Sequence, residues 1–169
     1  MATSFQAHLG HKLCEIDEAG LRRKLREIES VQGAKIGIGA QKLLNFSSND
    51  YLGLARHPAL KESAVESVRL FGAGAGSARL ISGSLSVLHE LEAAAAAFKG
   101  VEASLSFSSG YAAALGTVPA LVGEGDVVVV DKLVHSSLVD AARLSGAKLR
   151  VFKHNDLMDL ERILKWAGE

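Results

Sequence analysis

The sequence predicts an α/β protein. Three short, nearly continuous apolar runs carry that prediction, at residues 103–107, 127–130 and 149–152, and a helical pattern follows each of them. Strands of this kind, apolar on both faces, belong to a mostly parallel sheet covered by helices.

Ahead of the first run, residues 9–30 predict an amphipathic helix. Leu9, Leu13, Ile16, Leu21, Leu25 and Ile28 recur at helical spacing with charge between them. Gly20 interrupts the pattern, so two shorter helices are the alternative. The glycine-dotted stretch 33–39 is a connector, residues 42–46 are a short strand candidate, and Ser47 to Asp50 are turn formers. Pro58 stands where a first helical residue belongs, and Leu60, Ala64, Val68 and Phe71 form an apolar face behind it. Gly72 is placed to stop that helix. A second helix spans about 86–99, turning Val87, Leu88, Leu91 and Phe98 inward, and ends at Gly100. Helices are then expected from Tyr111, over 136–145 and over 157–166, the last capped by Asn155-Asp156.

Composition narrows the function. The 169 residues are 48% hydrophobic and 22% charged, which excludes a disordered or fibrous chain. A formal net charge of zero argues against nucleic-acid and anionic-membrane surfaces. Cys14 is the only cysteine, so neither an intramolecular disulfide nor a thiolate metal cluster is expected, and a reducing cytoplasm suits it. The first ten residues lack the pattern of a signal peptide, and no apolar run approaches a membrane span.

Several common motifs fail on spelling. The run from Gly72 to Ser77 never reads GxGxxG and follows a helix, not a strand. No Gly-Lys-Ser/Thr occurs. His89-Glu90 opens an HExxH-like string, but Ala93 stands at its end. Residues 106–110 resemble a nucleophile elbow except that Ser106 occupies the glycine position.

What remains is Phe107-Ser108-Ser109-Gly110-Tyr111, a strand end, a polar turn and a helix start. Free N–H groups and the helix dipole there suit an anion such as a phosphate, with serine hydroxyls as further donors. A simply capped strand–helix junction explains the same residues. His135 lies just beyond the second strand, where ligands bind in open parallel sheets. It is either a stacking or hydrogen-bonding group for a flat ligand, or an incidental histidine in a helix cap. His154 is expected to belong to a capping region. Arg22, Arg23 and Arg26 are expected on the solvated face of the first helix, where one arginine could hold a carboxylate.

Taken together, five ordered strings resemble the α-oxoamine synthases. They are Leu44-Asn45-Phe46-Ser47-Ser48-Asn49-Asp50-Tyr51-Leu52-Gly53-Leu54, the run from Gly74 to Gly83, Ser109-Gly110-Tyr111, His135-Ser136-Ser137-Leu138, and Phe152-Lys153-His154-Asn155-Asp156. The resemblance covers about residues 9–164. Members of this fold-type-I family use pyridoxal 5'-phosphate (PLP) to condense an amino acid with an acyl thioester, releasing carbon dioxide. The resemblance implies that Ser109, Gly110 and Tyr111 cradle the cofactor phosphate and that His135 stacks over its ring. It implies that Asn49 lies near the substrate end of the pocket and that Arg26 meets the substrate carboxylate. The glycine-rich loop 74–83 would sit near the active site at a dimer interface. Partners would be acyl-CoA or acyl carrier protein, an amino acid and, in the complete enzyme, a second copy; neither a metal, a nucleic acid nor a membrane is implied.

The chain departs from the family at Ala114, where many members have asparagine. The larger departure is that none of its ten lysines stands in the context of the family's Schiff-base lysine. That lysine, the aspartate beside the pyridine nitrogen and a nearby histidine are expected in sequence beyond residue 169, so no catalytic residue is assigned here. On this expectation residues 1–40 are a helical segment and connector, and residues 41–169 are part of a cofactor-binding domain. The chain would be an N-terminal piece that is inactive alone, with residues 103–107 lacking their strand neighbours and solubility poor. A non-catalytic binding module and one half of a split enzyme are the other two possibilities.

Overall fold

The computed structural model describes residues 4–30 and 33–168. They fall into two compact units, residues 1–74 and 75–169.

In the first unit, α1 is Phe5–Glu18, started by Ser4, whose hydroxyl accepts the Ala7 N–H at 3.3 Å. It ends because Gly20 takes φ +66°, while the Gly20 and Leu21 N–H groups fold back onto the carbonyls of Asp17 and Ile16. The helix expected over 9–30 is therefore corrected. It begins earlier, and residues 21–29 are not helical. Arg22, Arg23 and Arg26 consequently lie in irregular chain and not on a helix face, and Arg22 turns back to pair with Asp17.

Strand β1, Lys35–Ile38, pairs antiparallel with β2, Gln41–Leu44, through a turn in which Gly39 has φ +55°. The connector expected at 33–39 thus contains a strand; four residues interrupted by Gly37 are too few to show a period of two. Helix α2, Pro58–Phe71, starts on Pro58 and stops at Gly72 as its sequence predicts. Its apolar stripe is formed but uncovered, and no residue of α2 is buried.

The second unit opens with a single wide turn, Arg79–Gly83, closed by the Gly83 N–H on the Ala78 carbonyl. Then come α3 (Ser86–Lys99), α4 (Gly110–Leu121), β3 (Val127–Asp131), α5 (Ser136–Leu144), β4 (Lys148–Phe152) and α6 (Leu157–Ala167). β3 and β4 are parallel, with Val127 opposite Lys148 and Asp131 opposite Phe152. The third strand expected at 103–107 is not formed: the segment enters no ladder among the described residues. A strand is defined by its neighbour, and here its apolar sequence has none.

The core is small and built of small residues. Ala141 and Ala142 are fully buried, and Ala96, Ala114, Val130, Ala147 and Ile163 nearly so. Leu91 and Phe98, expected inward, are exposed. The accessible surface is 13934 Å². A compact body of this mass exposes roughly 8,000 Å², and two compact bodies of the units' sizes roughly 9,700 Å². Large apolar side chains contribute to the surplus, among them the exposed Phe46, Leu80, Ile81, Leu105 and Leu121.

Candidate functional site

The carboxyl ends of β3 and β4 and the start of α4 gather the polar groups of the second unit. Ser109 caps α4, its hydroxyl accepting the Ala112 N–H at 3.1 Å and its carbonyl the Ala113 N–H. The N–H groups of Gly110 and Tyr111, the first two of the helix, have no acceptor among the described residues. A Cβ built on Gly110 would meet nothing within 4 Å, so this helix start is uncrowded on its Cα side. Open N–H groups at the positive end of a helix are able to accept an anion.

The Tyr111 hydroxyl donates to Asp140 at 3.3 Å, tying the first turn of α4 to α5. The negative charge of Asp140, followed by partial burial, raises the Tyr111 pKa and keeps the phenol protonated. Ala114, one turn further along α4, is buried.

His135 caps α5. Its Nδ1 accepts the Ser137 backbone N–H at 3.2 Å and lies 2.8 Å from the Ser137 hydroxyl. A fixed backbone donor on Nδ1 leaves the proton of the neutral ring on Nε2, free to donate outward. The ring is exposed, as contact with a ligand requires.

Asp131 organises the strand ends. It accepts the Leu133 N–H at 2.7 Å, His154 Nδ1–H at 2.9 Å and the Asn155 N–H at 3.1 Å. The bond from Leu133, then those from His154 and Asn155, hold its carboxyl below the usual aspartate range. Asn155, with φ +56°, makes the bend that brings His154 back to β3. His154 therefore bridges two strand ends, beyond the capping-region place expected of it. Asp156 caps α6 by accepting the Asp159 N–H at 2.9 Å.

A depressed carboxylate stabilises the fold above its ordinary pKa and ceases to do so as pH falls toward the lowered value. The ordinary values here are 3.8 for Asp131 and 4.5 for Glu92, which is also depressed. Stability of this unit is expected to be flat from pH 7 to about 5 and to decline below that. Asp131→Asn is expected to lower stability at pH 7 and flatten the acid limb, as checked by urea unfolding at stepped pH. An unchanged acid limb would contradict the assignment.

Arg26 and Asn49 lie in the first unit, both exposed. Asn49 sits in a loop held by short-range bonds, the Ser47 N–H on the Asn45 side chain and the Asp50 N–H on the Ser48 hydroxyl. Of the six residues named from the sequence, Ser109, Gly110, Tyr111 and His135 lie in the second unit, at the starts of α4 and α5, two helices that the Tyr111–Asp140 bond ties together. Glu92, which joins Arg79 to Ser106, was missed. Its signal was present: it lies four residues from both Leu88 and Ala96, a charge on the inward stripe of α3. No group of His, Cys, Asp or Glu able to hold a metal ion occurs among the described residues, and no helix there is long and apolar enough to cross a membrane.

A mixed α/β unit whose parallel strands each lead into a helix, with an open helix start tied to one of those helices, is an arrangement suited to cofactor binding. The family model for aminotransferase class I and II matches residues 41–169, and the chain belongs to that family. The 8-amino-7-oxononanoate synthase of Maricaulis maris is 48% identical over 164 residues, covering 97% of this chain and 42% of the relative. That of Thermoanaerobacter pseudethanolicus is 46% identical over 154 residues, 91% of this chain and 39% of its own. Among solved structures, a serine palmitoyltransferase from S. paucimobilis with bound PLP–myriocin aldimine superposes with a TM-score of 0.81 at 26% identity. It covers 94% of this chain, which spans 42% of that one. The 8-amino-7-oxononanoate synthase of Francisella tularensis gives 0.61 at 31% identity, over 70% of this chain and 33% of its own. The chain thus spans about 40% of the length of the curated relatives it matches.

Proposed function

We propose that this chain supplies the phosphate- and ring-binding part of a PLP site, in an enzyme of the 8-amino-7-oxononanoate synthase kind that joins an amino acid to an acyl thioester. The observation that carries the reading is the pair of N–H groups at Gly110 and Tyr111, the first two of α4, which have no acceptor among the described residues. The relatives' names favour this reaction over a glycine C-acetyltransferase-like one.

When bound, the cofactor supplies an electron sink that lets the amino acid lose its carboxylate and accept an acyl group. Ser109, Gly110 and Tyr111 would hold its phosphate. His135 would cover the flat ring, its Nε2–H available as a donor. The Tyr111–Asp140 bond keeps the first turn of α4 from rotating away. Arg26 and Asn49 are assigned to the substrate carboxylate and the substrate end of the pocket on family resemblance alone. The anchoring lysine has no counterpart in matching context among the ten lysines, so the chain is assigned reversible cofactor binding and no turnover of its own. A second copy and a cytoplasmic setting belong to the same proposal. The uncovered apolar surface favours an enzyme half over a free-standing binding module.

Ser109→Asp tests the reading. Aspartate is an equally good helix cap, so α4 should persist, while its charge repels a phosphate. PLP affinity, measured by equilibrium dialysis, is expected to fall roughly tenfold or more. Equal affinity in the variant would remove the phosphate turn from the proposal.

A further inference from the structure

Glu92 stands mid-way along α3 with only 11% of its side chain exposed. Its carboxylate takes the two guanidinium nitrogens of Arg79 at 2.5 and 3.0 Å. It also accepts the backbone N–H and the hydroxyl of Ser106, both at 2.8 Å. The Ser104 hydroxyl donates to the Glu92 carbonyl at 2.7 Å. Arg79 in turn reaches Ser84, whose hydroxyl meets His89 on α3 at 2.9 Å. A continuous set of bonds therefore runs from the 79–83 turn, through Glu92, to the chain that enters α4.

That chain has little else to direct it. Residues 103–107 join no ladder among the described residues. Apart from Glu92, the visible constraint is the Phe107 ring, which lies so close to Gly116 of α4 that a Cβ there would come within 2.8 Å of it. Ser106 is three residues before Ser109, and a chain of that length swings its end by up to about 10 Å if its root is released. Charge-assisted bonds are the kind able to hold such a root.

We propose that Glu92 is a positioning residue for the phosphate turn: it clamps Ser106 to Arg79 and so sets the direction in which the chain presents Ser109, Gly110 and Tyr111. This rests on the phosphate-turn reading above. Glu92 itself touches no ligand; it acts through Ser106.

The experiment compares wild type, Glu92→Gln, Ser106→Ala and Ile163→Ala. The last empties a nearly buried position in the same unit, away from the network, and reports what general loosening does. Hydrogen exchange of the hydrogen-bonded amides of Ser106, Ala112 and Ala113, read without ligand, is expected to quicken about tenfold in Glu92→Gln. PLP affinity is expected to fall about tenfold with it. Ser106→Ala keeps the backbone bond and should give a smaller change of the same sign, which judges the clamp even if Glu92→Gln does not fold. Ile163→Ala should leave both local quantities near wild type relative to its global stability. Unchanged exchange at Ser106, Ala112 and Ala113 in Glu92→Gln, or in Ser106→Ala where only that variant folds, overturns the inference. So does an equal effect from Ile163→Ala. A wild type that binds no PLP would instead overturn the phosphate-turn reading, while the exchange data still decide whether the clamp exists.

Discussion

Gly83→Ala is expected to abolish cooperative unfolding of the second unit, the largest loss from a single methyl group anywhere in the chain. A Cβ at Gly83 would lie 1.9 Å from the Ser77 carbonyl oxygen and 2.6 Å from its carbon. Both are backbone atoms inside a closed turn, so no side chain can rotate to make room. The turn must open, and opening it pulls Arg79 away from Glu92 and Ser106. A cost above about 4 kcal/mol follows, beyond the ordinary range for point substitutions. Gly74→Ala is the matched control: its added Cβ meets nothing within 4 Å and its φ is not positive, so an effect within about 0.5 kcal/mol is expected. Thermal unfolding followed by circular dichroism distinguishes them, and equal melting of the two variants would refute the account of this turn.

The second large effect concerns what covers the apolar surface. A segment matching the remaining length of the 8-amino-7-oxononanoate synthase relatives, joined in cis or added as a separate chain, is expected to raise condensation activity from background by orders of magnitude. It should also cover much of the roughly 4,000 Å² by which the chain exceeds two compact bodies. Binding of an environment-sensitive apolar dye should fall in parallel. The 169 residues alone should bind that dye strongly and tend to associate. A monomer that does not associate and ignores the dye would count against the proposal.

How far the sequence could be read follows from which signals are local. Val127–Asp131 and Lys148–Phe152 were legible because a continuous apolar run followed by a helix signal needs no knowledge of the partner. Residues 103–107 carried the same signal but could not reveal whether a neighbour was present to make a strand of them. Helix α2 was legible from Pro58 and Gly72, which terminate it by backbone geometry alone. The end of α1 was harder, since the apolar pattern continues past Gly20 into residues that do not coil.

The candidate site divides the same way. Ser109 and His135 were found as turn residues after apolar runs, and both are helix caps in the structure. Asp131 and Glu92 were not singled out, because the partners that join them to other elements, His154 and Asn155 for the one and Arg79 and Ser106 for the other, lie 13 to 24 residues away. Within the glycine-rich run Gly72 was legible as the stop of α2, whereas nothing local marks Gly76 for its positive φ or Gly83 for its backbone contact.

The central claim is that these residues bind PLP by its phosphate and ring without anchoring it. Saturating the chain with PLP, reducing with borohydride and weighing the protein by mass spectrometry tests this most directly. Reversible binding before reduction, with only scattered, substoichiometric labelling across the lysines after it, is the expected result. Stoichiometric attachment to one lysine among the ten would contradict the claim.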